Sequence, residues 1–126
     1  MTSLTLLQVA LGGAIGASCR FLTGHALLRL LGSGFPYGTF AVNVIGSFLM
    51  GVIVVLLGHF SANRFAPLLV TGFLGGFTTF SSFSLDVATL YERGQTGLAA
   101  VYVLSSVTLS IAALFAAMVL TRGALQ

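Results

Sequence analysis

The sequence of 126 residues has very few charged side chains: two acidic residues, five arginines and no lysine. Charged residues make up 6% of the chain and apolar residues 57%, whereas about a quarter of an ordinary soluble domain is charged. This composition excludes a typical soluble globular domain. The arginines are dispersed rather than clustered in a stripe, so the net charge of +3 does not indicate a surface for nucleic acid.

Residues with catalytic or metal-binding chemistry are also scarce. Cys19 is the single cysteine, which excludes a disulfide within the chain and favours a simple packing role. His25 and His59 are far apart, and no group of Cys, His and carboxylate residues has the spacing of a metal site. No nucleophile has an evident base beside it. The sequence therefore predicts a protein that is not an enzyme.

Long apolar segments are what the chain does contain. Four of them lie between the charges, at about residues 4–22, 38–60, 66–90 and 97–120. A bilayer core about 30 Å thick needs roughly 20 apolar residues per helix, so each segment can span it. The connections are short, which favours antiparallel neighbours. The sequence predicts an all-α integral membrane protein in which residues 1–126 form a single four-helix domain.

Helix-breaking residues support these boundaries. Pro36 precedes the second segment, Pro67 suits the first turn of the third, and Gly94 suits its end. The first segment lacks the basic residues of a cleaved signal, because no side chain before Arg20 is positive. We therefore expect the first segment to be retained as a membrane helix.

The third segment contains a stretch that is unlike a membrane helix, TGFLGGFTTFSSFS at residues 71–84. Gly75 and Gly76 weaken the helix at mid-span, and a break there would free carbonyl oxygens that can coordinate Na⁺. The alternative is that the glycines only permit close helix approach. Gly72 and Gly76, like Gly12 and Gly16, have the four-residue spacing of that motif.

The same stretch carries rings and hydroxyls that could contact a small anion. Phe80 and Phe83 are three residues apart, so a helix places them on one face. Their positive ring edges could line an anion pathway, or the rings could simply pack against lipid. Hydroxyl groups that could flank this pathway, or bond to their own helix instead, belong to Thr78, Thr79, Ser81, Ser82 and Ser84.

Two other segments contribute polar residues. Asn43 is the only Asn or Gln deep within an apolar segment, and its amide could join helices or donate to a dehydrated anion. Tyr102, Ser106 and Ser110 recur every four residues, which makes one polar stripe on the fourth span. Close packing of small residues is the alternative for the stripe.

Two charges lie next to the apolar segments. Arg20 is expected near the end of the first span, either as a snorkelling anchor or as a positive vestibule that concentrates anions. Asp86 is expected near the far end of the third span, exposed or paired with an arginine, and the sequence assigns it no role.

The arginines give almost no preference for one membrane orientation. Four spans put Arg64 and Arg122 on one side, and Arg20, Arg29 and Arg93 on the other. The free α-amino group lies on the side with two arginines and so offsets the difference of one positive charge between the sides. One weakly biased orientation and insertion in both orientations are therefore both open. If the polar groups serve transport, an antiparallel pair of chains would imitate the inverted repeats of transporters.

Three stretches together resemble the Fluc (CrcB-type) fluoride channels, and the resemblance covers essentially the whole chain. They are GGAIGASCR at residues 12–20, GTFAVNVIGSFLMG at residues 38–51, and the stretch at residues 71–84 described above. Two positions depart from the usual pattern: Ser82 stands where Thr is common, and Asp86 stands where Glu is common.

The resemblance implies a dual-topology antiparallel homodimer in the lipid bilayer of the cell's inner membrane, with a broken third helix and two fluoride pathways. It implies a structural Na⁺ at the dimer centre, held by the backbone carbonyls of Gly75 and Thr78. Arg20 matches the arginine near the pore entrance. The residues it assigns to the fluoride pathway, together with neighbouring hydroxyls, are Asn43, Thr79, Phe80, Ser81, Ser82, Phe83, Tyr102, Ser106 and Ser110.

The expected function is passive exit of fluoride from the cytoplasm. One alternative is a small four-helix multidrug exporter, which needs an intramembrane carboxylate that the first span lacks. Another is a membrane scaffold that does not transport anything, in which the glycines and serines merely pack.

Overall fold

The computed structural model describes residues 2–126, and every regular element in that range is helical. Four stretches are long and apolar enough to cross a membrane, which confirms the four predicted spans. We call them the first helix, the second helix, the third segment and the fourth helix. In that order they cover Thr2–Leu31, Tyr37–His59, Asn63–Glu92 and Thr96–Ala124.

The first helix is longer than the sequence predicts. It continues through Arg20 to Leu31, and Arg29 lies in its last turn rather than in a loop. The helix therefore extends beyond the predicted span, and at about 45 Å it is longer than a bilayer core of about 30 Å. The helix ends at Gly32, whose φ of +82° is a left-handed conformation that favours glycine.

The third segment consists of several pieces. A 3₁₀ turn at Asn63–Phe65 precedes a π-helix at Pro67–Leu74, which is followed by a single α-helical turn at Gly75–Phe77. Thr78 and Thr79 then have extended backbone, with φ and ψ of −87° and 159° and of −153° and 121°. A regular α-helix resumes over Phe80–Glu92 and ends before Gly94, whose φ is +80°. We call Thr78 and Thr79 the interruption.

Close backbone packing joins the elements in pairs. The second helix packs most extensively on the fourth, and the first helix on the N-terminal half of the third segment. A Cβ added at Gly12 would lie 3.0 Å from the Cα of Gly72, and one at Gly76 would lie 2.6 Å from the carbonyl oxygen of Gly13. Gly12, Gly72 and Gly76 thus have the packing role that their spacing allows. This packing places Gly75–Phe77 against the first helix, and the interruption that follows lies against the second helix.

Candidate functional site

The interruption is held by Asn43 of the second helix. The Asn43 Nδ2 donates to the Thr79 carbonyl at 3.0 Å, and the Thr79 N–H donates to Asn43 Oδ1 at 2.8 Å. Non-helical backbone at membrane depth needs such partners, because lipid offers none. Asn43 therefore joins two helices, and it does so at the irregular backbone.

The interruption redirects two N–H groups that would pair along a continuous helix. There, the N–H of residue 79 would bond to the Gly75 carbonyl, and the N–H of residue 82 to the Thr78 carbonyl. Instead, the Thr79 N–H bonds to Asn43, and the Ser82 N–H donates to Thr79 Oγ1 at 3.1 Å. The carbonyls of Gly75 and Thr78 thus lose their α-helical donors to side chains.

A third carbonyl of this stretch is bound by Arg20. The Arg20 Nε donates to the Gly76 carbonyl at 2.9 Å, across 56 positions of sequence. The side chain is half-buried and packs where the first helix meets the third segment. Arg20 therefore contacts the backbone next to the interruption directly.

A cavity of about 390 Å³ lies between the second helix, the interruption and the fourth helix. It brings together most of the residues that the sequence predicted for the site: Asn43, Thr78, Thr79, Phe80, Phe83, Ser106 and Ser110. The remaining lining residues are Gly46, Ser47, Met50, Val107, Ile111 and Leu114. The described lining is therefore mixed apolar and polar, and it is uncharged.

A row of aromatic rings runs from the core to the surface of the chain beside this cavity. The ring centroids of Phe83 and Tyr102 are 5.1 Å apart, and those of Phe80 and Phe83 are 5.5 Å apart. Tyr102 is fully buried and Phe83 is 8% exposed, whereas Phe80 is 77% exposed. Phe83 is thus fixed by packing, while the Phe80 ring is open on a single chain.

Ser106 lines the cavity from the fourth helix, and its hydroxyl is buried beside it. The residue is 4% exposed, and within residues 2–126 its Oγ has no hydrogen-bond partner. A buried hydroxyl without a partner costs free energy, and a rotation of the Ser106 side chain about χ1 would be needed for its Oγ to reach an occupant of the cavity. Ser110, one turn further on, lines the same cavity.

Three predicted pathway residues lie outside this lining. Ser81 is exposed, with its Oγ 3.2 Å from Thr79 Oγ1, and Ser82 contacts the same oxygen through its backbone N–H. Tyr102 donates its hydroxyl to Asp86 Oδ2 at 2.9 Å. Asp86 is half-buried and bound by a tyrosine, rather than exposed or paired with an arginine.

Ser47 is a cavity residue that the sequence reasoning missed. It lies four residues after Asn43, on the same face of the second helix. The spacing that identified Ser106 and Ser110 on the fourth helix would have identified Ser47 as well. The contact between Asp86 and Tyr102 had no such signal, since the two residues belong to different elements.

Comparison with known proteins gives a consistent family. Residues 7–118 match the family described as CrcB-like protein, Camphor Resistance (CrcB). A relative from Cereibacter sphaeroides (strain ATCC 17029 / ATH 2.4.9) is 66% identical over 119 residues, covering 94% of this chain and 95% of the relative. A relative from Ruegeria sp. (strain TM1040) is 56% identical over 123 residues, covering 97% and 98%. Both relatives carry the name fluoride-specific ion channel FluC.

Proposed function

The chain belongs to the family of CrcB-like proteins, and we propose that it is a passive, fluoride-selective channel that crosses the inner membrane several times. The observation that carries the proposal is the uncharged cavity of mixed polar and apolar lining where the interruption meets Asn43, Phe83 and Ser106. The names of the relatives support the choice of ion.

The cavity offers the chemistry that a small anion needs. Fluoride is strongly hydrated and a strong hydrogen-bond acceptor, so a pathway must replace its water with donors. The Ser106 hydroxyl has no protein partner to lose, and a change of its χ1 rotamer would turn it toward the cavity. The hydroxyl of Ser110 lies one turn away, and the edges of the Phe80 and Phe83 rings add weak positive potential. Chloride is larger, and we expect the width of the pathway to exclude it.

The described lining of the cavity carries no charge, which suits an ion that passes through rather than one that stays tightly bound. An ion pathway must bind its ion well enough to admit it and weakly enough to release it. Neutral donors and ring edges meet both requirements, whereas an arginine in the lining would hold fluoride tightly. We therefore propose passive movement down the electrochemical gradient.

A second, inverted copy of the chain would complete the site. Gly75, Phe80 and Ser81 are exposed on a single chain, directly beside the extended residues Thr78 and Thr79. Irregular backbone that faces lipid is not tolerated, so this surface needs a protein partner. We propose an antiparallel homodimer about a two-fold axis in the membrane plane, with two pathways.

The redirected hydrogen bonds support a structural Na⁺ at that axis. The carbonyls of Gly75 and Thr78 have lost their α-helical donors, and Gly75 is exposed. Two copies of this pair would provide four oxygen ligands, the type that a hard cation prefers. When bound, the ion would neutralise the carbonyl dipoles that meet at the dimer centre.

In a cell, this activity would limit fluoride toxicity. Hydrofluoric acid enters from acid surroundings and dissociates in the cytoplasm, where fluoride accumulates. A passive channel would let the anion leave down its gradient.

Fluoride efflux from liposomes tests the proposal. Vesicles that contain purified protein and potassium fluoride should release fluoride to an external electrode once valinomycin lets potassium leave. Vesicles loaded with potassium chloride should release little chloride. No fluoride release, or equal chloride release, would contradict the channel. Release that requires a proton gradient would favour a proton-coupled exporter instead.

A sodium-free arm of the same assay tests the proposed ion. Protein prepared with potassium in place of sodium should lose flux and dissociate, and added sodium should restore both. Added lithium serves as the control cation. Full flux from a stable dimer without sodium would contradict the sodium site while leaving the fluoride result intact.

A further inference from the structure

We propose that Arg20 is a positioning residue whose Nε–H holds the Gly76 carbonyl and thereby fixes the backbone of the interruption. Its consequence for transport rests on the proposed function, but the contact itself does not. This role differs from that of an interfacial anchor, which would need no partner on the third segment. It also differs from that of a vestibule charge, for which only the positive charge matters.

The position of Arg20 within the first helix supports the proposal. At a rise of 1.5 Å per residue, it lies about 16 Å before the end of the helix at Leu31. The side chain is half-buried between two elements, and a buried charged group is costly unless it meets a partner such as a backbone carbonyl. The Gly76 carbonyl is that partner, at 2.9 Å.

The packing of the first helix places Arg20 at this carbonyl. Gly12, Gly16 and Arg20 follow one another at intervals of four residues, so they share one helix face. Gly72 and Gly76 have the same interval on the opposing segment, and a Cβ at Gly12 would lie 3.0 Å from the Gly72 Cα. The glycines bring the two backbones together. Arg20, which follows Gly16 on the same face of the first helix, then contacts Gly76, the second glycine of the third segment.

The Gly76 carbonyl lies in sequence between the carbonyls of Gly75 and Thr78, which have both lost their α-helical donors. In a continuous helix it would accept the N–H of residue 80, but Phe80 begins a new helix after the extended residues. Arg20 therefore supplies a side-chain donor in the gap between the two helical halves. Together with the bonds from Asn43 to Thr79, it anchors the chain on both sides of Phe77 and Thr78.

The identity of the donating atom makes the proposal testable. In Arg20→Gln, the amide nitrogen occupies the same position along the side chain as the arginine Nε, so the donor remains while the charge is removed. Arg20→Lys keeps the charge but places a methylene at that position. Arg20→Met removes both. Arg29→Gln is the matched control, because it removes the same charge from the last turn of the same helix.

The measurement is amide hydrogen exchange at Thr78 and Thr79 in the purified dimer, read by NMR. Arg20→Gln should exchange at nearly the wild-type rate, as should Arg29→Gln. Arg20→Lys and Arg20→Met should exchange roughly 10- to 100-fold faster, the change expected when a buried carbonyl loses its donor. Fluoride flux should follow the same order at high salt, where the effect of the lost charge is screened.

Arg20→Gln decides the outcome. If it exchanges as fast as Arg20→Met, or fails to fold while Arg20→Lys folds, the charge rather than the Nε donor matters and the proposal is wrong. Equal exchange in all variants would also overturn it. Failure of the wild-type protein to conduct fluoride would contradict the proposed function instead, because hydrogen exchange does not depend on transport.

Discussion

Asn43 takes part both in the fold and in the candidate site. Its amide both donates to and accepts from Thr79, and it also lines the cavity. A carboxylate of the same shape could still accept the Thr79 N–H, but it would face the Thr79 carbonyl without a donor. It would also place a negative charge beside the proposed anion pathway. Both effects act against fluoride movement.

We therefore expect Asn43→Asp to reduce fluoride flux at least about tenfold, since losing a buried hydrogen bond alone costs about 1–3 kcal/mol. The liposome efflux assay measures the change. Asn63→Asp is the control, because it makes the same substitution at an exposed site in the short 3₁₀ turn. Wild-type flux through Asn43→Asp would show that Asn43 neither lines the pathway nor shapes it.

Between elements, the contact of the first helix with the third segment depends on glycine. A Cβ at Gly16 would collide with the carbonyl oxygen of Phe73 and would lie 3.0 Å from the Phe77 backbone nitrogen. Neither obstacle is a flexible side chain, so relief requires the helices to separate. Gly24, on the same helix, has open space at its Cβ position.

Gly16→Ala should therefore destabilise the folded protein by roughly 1–3 kcal/mol, the usual cost of overpacking. Gly24→Ala should leave stability nearly unchanged. Thermal unfolding in detergent, followed by loss of the monodisperse peak in gel filtration, compares the two variants. Equal midpoints would mean that the close approach at Gly16 does not limit stability.

Helix ends could be predicted from backbone chemistry but not from charge alone. Gly94, with a φ of +80°, lies just after the third segment, where its position behind Glu92 and Arg93 predicted an end. Arg20 does not mark the end of the first helix, which continues to Leu31, because a charged side chain can stay within a helix when a carbonyl of another element accepts from it. That carbonyl belongs to Gly76, and no local pattern in the first helix points to it.

At the scale of the whole molecule, the periodicity of the sequence predicted which residues share a helix face, but not which residues of other helices they contact. The interval of four residues identified Ser106 and Ser110 as neighbours, and both line one cavity. The pairs formed by Asn43 with Thr79 and by Tyr102 with Asp86 depend on how helices cross, which a single sequence does not encode locally. Hence the four spans could be predicted, whereas the hydrogen bonds that hold the interruption could not.

The position of Arg20 also changes the charge balance of the whole chain. Because its Nε is bound to the Gly76 carbonyl between the helices, it no longer counts as a loop charge. Arg29 and Arg93 then lie at one end of the bundle, and Arg64 and Arg122 at the other. With the free α-amino group counted beside Arg64 and Arg122, the two ends differ by one positive charge, so the positive-inside rule still gives almost no preference and insertion in both orientations stays open.

Two double variants should separate the orientations. Ser33→Arg with Gln95→Arg adds positive charge at one end, and Asn63→Arg with Gln126→Arg adds it at the other; all four side chains are exposed. Accessibility of terminal tags from each side of the membrane should show each double variant in a single, opposite orientation. If the functional unit is an antiparallel pair, each double variant expressed alone should give little fluoride flux. Co-expression of the two double variants should restore the flux. Strong flux from either double variant alone would mean that chains in one orientation suffice, and the inverted pair would have to be abandoned.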